Sequence, residues 1–161
     1  MRNIWGPHLR SALKAAEELL PASGEVADLL EALSRSRGRP LTLLTEDLGS
    51  ARSGLLISTD TADYIVVSSS TSPERTAAIV CHEVAHALLG HAHTADLADS
   101  LMDSGLVTGL DQDLVRSVVA ARDTYEEGPE ADAELLGTHL SFLLRERVLR
   151  GGHTFFDERW Q

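Results

Sequence analysis

The stretch from Ser72 to Gly90 constrains this chain more than any other. Ser72-Pro73-Glu74 sets an N-cap hydroxyl, a proline at the first helical position and an early acid in the order that favours a helix start. The helical pattern runs to about Leu89, and Gly90 is a natural C-terminal stop. Val84, Ala85, Leu88 and Leu89 make this helix mostly apolar, so it must be packed against other elements.

What it packs against is legible on both sides. Leu9, Leu13, Ala16, Leu19 and Leu20 predict a helix from Pro7 to Leu20, ended by Pro21. A second helix is expected from an N-cap at Ser23 through Leu33, stopping in the polar stretch Ser34–Pro40. Three short apolar segments follow at Leu41–Leu44, Gly54–Ser58 and Tyr64–Ser68. The last two are expected to form a hairpin through Thr59–Asp63. Beyond Gly90 the pattern suggests short helices near Ala95–Met102 and at Asp111–Arg122. Gly128-Pro129 then precedes a long helix over roughly Glu130–Leu149. Helices, then strands, then helices give an α+β chain instead of an alternating parallel sheet.

Composition narrows the function class. At 161 residues with 43% hydrophobic content, one domain with a real core is expected. Its parts are N-terminal helices over 1–38, a core over 39–150 and a tail over 151–161, where Trp160 docks on the body. The net charge of −11 disfavours phosphate-driven nucleic-acid binding, so no nucleic acid partner is expected. The single cysteine, Cys81, excludes an internal disulfide and fits a reducing compartment. No signal-like run opens the chain and no stretch of about eighteen apolar residues occurs, so the expected location is cytoplasmic, with no membrane partner.

The chemistry lies on the constrained helix, in His82-Glu83-Val84-Ala85-His86. Histidines four apart sit on one helical face and can grip one ion, with Glu83 beside them to take a proton from metal-bound water. Zinc suits this work because it lowers the pKa of its water and polarises a carbonyl. A catalytic zinc takes three protein ligands, so one more is needed. The metzincin pattern would put glycine at 89 and histidine at 92, but Leu89 and Ala92 stand there. A carboxylate on the last helix is the other solution. Glu130 is the first candidate, with Asp132, Glu127 and Glu126 as alternatives. Glu134, one turn on, is placed to orient a histidine, and Ala131 and Ala133 let the helices pack closely.

Weaker candidates complete the reading. His91 and His93, past the glycine stop, are expected to face solvent, and His139 to pack. Tyr64 and Tyr125 read as edge-of-core tyrosines, with an oxyanion donor as their functional alternative. Cys81 points about 100° away from His82 and reads as a small buried apolar group. The backbone of Tyr64–Ser68 is a candidate for pairing with an extended substrate, its side chains being core.

Together, Ile57–Val66, the Thr71-Ser72-Pro73 helix start, His82–His86 with Leu89-Gly90-His91, and Glu130–Leu136 resemble the ImmA/IrrE family of metallo-endopeptidases, especially its small actinobacterial members. The resemblance spans about Arg39 to Leu144. It implies a zincin-like, gluzincin-type fold with helices around a small three-stranded sheet, and one Zn2+ per chain held by His82, His86 and Glu130. Glu83 corresponds to the general base. Glu134 stands where many members carry Asn or Asp. The resemblance also implies a helix-turn-helix repressor as protein substrate. The rival expectation is a catalytically silent module that regulates such a repressor by binding alone, and a weaker one is a hydrolase of non-peptide amides.

Overall fold

The computed structural model describes residues 5–46, 53–58, 62–91 and 127–157; of Glu46, 127–128 and 152–157 it describes the backbone only. Among these residues the chain is α+β, with four helices and a small three-stranded mixed sheet: α1 (Pro7–Leu19), α2 (Val26–Arg37), β1 (Leu41–Glu46), β2 (Gly54–Ser58), β3 (Asp63–Ser68), α3 (Pro73–Leu88) and α4 (Glu127–Asp157). The helices expected near 95–102 and at 111–122 lie outside the described residues, as do residues 59–61 of the hairpin connection and Trp160. No described helix is long and apolar enough to cross a membrane.

The sheet order is β1-β3-β2. β3 pairs antiparallel with β2, as the hairpin reading requires, and parallel with β1 (Leu43 opposite Ile65). Ile65, Val66 and Val67 are all buried, the continuous apolar run typical of a central strand covered on both faces. This corrects the expectation that the backbone of Tyr64–Ser68 could receive a substrate: its hydrogen-bonding edges are already taken by β1 and β2.

Helix α3 crosses the sheet and is the most enclosed helix, with Ile79 through Ala87 buried except for His82. Its start is as expected: Ser72 Oγ accepts the amide of Arg75 at 3.4 Å, and Pro73 is the first helical residue. Its end is a glycine turn. Gly90 has φ of +72°, its amide donates to Ala87 O, and the amide of His91 donates to His86 O at 2.9 Å. α4 lies along α3 and presents Ala133, Leu136, Leu140 and Leu144 to the core, where α1 also packs against it.

Three helix boundaries differ from the sequence reading by two residues or more. α2 begins at Val26 with Glu25 as its N-cap; Ser23 instead accepts the Glu25 amide and donates to Asp28. α4 begins at Glu127, because Pro129 in a first turn loses no helical hydrogen bond and does not break the helix. At its other end α4 continues past Leu149 to Asp157.

Asp63, assigned by its sequence to a loop, is the first residue of β3 and fully buried. Arg37 at the end of α2 grips both its carboxylate oxygens and donates to Ala87 O at 3.3 Å, with Arg39 3.7 Å from Asp63 Oδ1. This knot fixes α2, the sheet and α3 relative to one another, and so sets where the face of α3 points.

Candidate metal centre

His82 and His86 lie one turn apart on α3, and their Nε2 atoms face each other at 3.0 Å. Glu130 reaches them from α4, with Oε1 2.9 Å from His82 Nε2 and Oε2 3.4 Å from His86 Nε2. Two imidazoles and one carboxylate thus turn their ligating atoms towards one point, and this group could hold a metal ion. Ligands about 2.1 Å from a tetrahedral ion stand about 3.4 Å apart, so separations of 2.9 to 3.4 Å fit such an ion. Of the alternatives to Glu130, Asp132 is not part of the group. Glu126 and the side chain of Glu127 lie outside the described residues.

Each histidine has a second partner that holds its ring. Glu134 Oε2 lies 3.2 Å from His82 Nδ1, the orienting place expected for it. His86 is fully buried, and its Nδ1 lies 3.2 Å from Nδ1 of His91. His91 is therefore packed against His86 instead of facing solvent. The cause is the turn at Gly90: a left-handed residue there brings the next residue back over the last turn of the helix. That signal was available in Leu89-Gly90-His91, because such a turn sets its outer residue over the third residue from the helix end, which is His86.

Glu83 is 3% exposed and lines the same cleft as His82, Glu130 and Glu134. The cleft has a volume of about 680 Å³ and runs between α3 and α4. The start of β2 closes on Glu83: a Cβ at Gly54 would come 2.3 Å from Ile79 Cγ2 and 3.0 Å from Glu83 Oε1. Small residues on α4 do bring it close to α3. Ala133 is buried as expected, but Ala131 is exposed, and the closest approach belongs to Gly137 opposite His82, which the sequence reading missed.

The remaining candidates are sorted by position. Tyr64 is half-buried in the central strand and does not line the cleft. His139 packs edge-on against Trp5, ring centroids 6.1 Å apart, as a packing histidine should. Cys81 is buried, and burial pushes its thiol up to about 12, so it stays protonated and is no metal ligand in this state. Tyr125 and His93 lie outside the described residues. Compared with known proteins, the chain matches no family model, no curated protein and no solved structure.

Proposed function

We propose that the chain is a cytoplasmic zinc metallo-endopeptidase of zincin-like architecture, related in design to the ImmA/IrrE peptidases and acting on a helix-turn-helix repressor. The observation that carries this reading is the convergence of His82, His86 and Glu130 at one end of a cleft that also holds the buried carboxylate of Glu83. Bound there, zinc would supply Lewis-acid polarisation of a peptide carbonyl and acidify water.

The chain's own residues do the rest. His82 and His86 present Nε2 because Glu134 and His91 engage their Nδ1 atoms. Glu83 accepts a proton from the attacking water and delivers it to the leaving amine as the peptide bond breaks. Its burial shields it from bulk water, and Gly54 leaves it room that any larger residue would fill. An extended peptide is received along β2, which among the described residues has a strand neighbour on one side only and begins beside Glu83.

Glu83→Gln tests catalysis against capture. The variant should bind zinc like the wild type and lose cleavage of the repressor by at least about a hundredfold, the lower range for a positioned general base. If it still relieves repression in full, binding without cleavage is the function.

A further inference from the structure

The cleft does not end at the metal centre. Its far end is lined by Arg75 of α3 and Arg145 of α4, with Phe142 also on its wall. His86 meets Glu130 while His82 meets Gly137, so α4 runs antiparallel to α3 and both arginines fall at the same end. Arg75 precedes His82 by seven residues, about 10 Å along α3, and Arg145 follows Gly137 by eight, about 12 Å along α4.

Two features together separate these arginines from the other described ones. Arg35, Arg37, Arg39 and Arg150 each face a carboxylate, whereas Arg75 and Arg145, like Arg10 and Arg147, have no acid partner among the described residues. Of these four, Arg75 and Arg145 are the two that line the cleft. They are also exposed and share one cleft, on a chain whose net charge is −11. The cleft is therefore polarised, with Glu83, Glu130 and Glu134 at one end and two guanidinium groups at the other. Phe142 is 58% exposed and adds an apolar contact at the basic end.

We propose that Arg75 and Arg145 form a carboxylate-binding subsite that selects peptides carrying an acidic group about three residues from the bond to be cut. The spacing follows from the geometry: an extended chain covers about 3.3 Å per residue, so three residues span the roughly 10 Å from His82 to the arginines. A guanidinium pair presents forked donors that match a carboxylate, and the exposure of both groups leaves them free to close on it. The subsite deepens the peptidase reading and rests on it for the position of the cut.

The test uses the full chain loaded with zinc and three N-acetylated random dodecapeptide pools. One fixes a central Glu and has an amidated C-terminus. The second has Gln in its place, and the third has Gln and a free C-terminus. Mass spectrometry locates each cut, and competition binding to the Glu83→Gln protein reads affinity without turnover. Cuts should be about fivefold more frequent in the Glu pool than in the amidated Gln pool, the worth of an exposed ion pair at ~1 kcal/mol, and lie about three residues from Glu. Binding should show the same ratio. Arg75→Gln with Arg145→Gln should bring both ratios to about one.

A preference that moves to the free C-terminus, and is lost with the arginines, assigns the same subsite to a chain end instead of a side chain. Equal use of the pools, or a preference that survives the double variant, overturns the subsite. Arginine-dependent binding of the Glu pool with no cutting anywhere keeps the subsite and sinks the peptidase reading. Loss of both cutting and selective binding sinks the subsite too.

Discussion

Gly137 of α4 lies directly against the backbone of His82 on α3: a Cβ at position 137 would come 2.8 Å from His82 Cα and 3.1 Å from its amide nitrogen. The contact is with main chain, which cannot swing aside. It therefore sets how near Glu130 and Glu134, on the preceding turns of the same helix, can come to His82.

Gly137→Ala puts two effects in competition. Alanine in a helix interior is worth up to ~1 kcal/mol over glycine, while forcing a methyl into a packed contact costs about 1–3 kcal/mol. With backbone as the obstacle the collision wins. Urea denaturation should show a loss of about 1–2 kcal/mol, and zinc affinity should fall about tenfold as Glu130 is carried away from the histidines.

His91→Ala removes the group that holds the His86 ring but leaves every atom facing the metal point in place. Zinc affinity, measured by competition with a chromogenic chelator, should drop about tenfold, in the range seen when a ligand's orienting partner is lost. An unchanged affinity would show that the His86 ring is held without His91.

Much of this arrangement is legible in the sequence because it is local. The start and stop of α3 are written in Ser72-Pro73-Glu74 and Gly90, and the spacing of His82 and His86 follows from helical geometry alone. Glu130 and Glu134 share a face for the same reason. What was not legible depends on partners distant in sequence. No local pattern says that β3 is flanked on both sides, or that Asp63 is buried under Arg37. Gly137 looks like an ordinary weak point in a helix until His82 is set against it. Even the start of α4 was misjudged because Gly128-Pro129 reads as a break, although proline is harmless in a first turn.

The Arg37–Asp63 pair should matter far more for stability than the ion pairs on the surface. Arg37→Met leaves a fully buried carboxylate with Arg39 as its one remaining cation among the described residues, which should cost about 2–3 kcal/mol in chemical denaturation. Arg35→Met, which breaks an exposed helix pair with Glu31, should cost under about 0.5 kcal/mol.

Cys81 gives a pH signature. Its thiol is raised from an ordinary value of 9.0 to about 12 by burial, so the folded state binds the proton more tightly than the unfolded state. That contribution is fully present below pH ~9 and is lost as pH climbs towards ~12, with a limiting slope of about 1.4 kcal/mol per pH unit. Stability measured from pH 9 to 11 should fall less steeply in Cys81→Ala than in the wild type. A disulfide reagent at pH 8 should label the thiol only after unfolding.

The proposed metal centre is tested by zinc stoichiometry and affinity of the purified chain, with Glu130→Ala measured beside it. About one zinc per wild-type chain is expected, with binding at least about tenfold weaker in the variant, because one of three protein ligands is gone. A wild-type chain that takes up no metal even with zinc supplied would contradict the account outright, and equal affinity in Glu130→Ala would contradict the assignment of the third ligand.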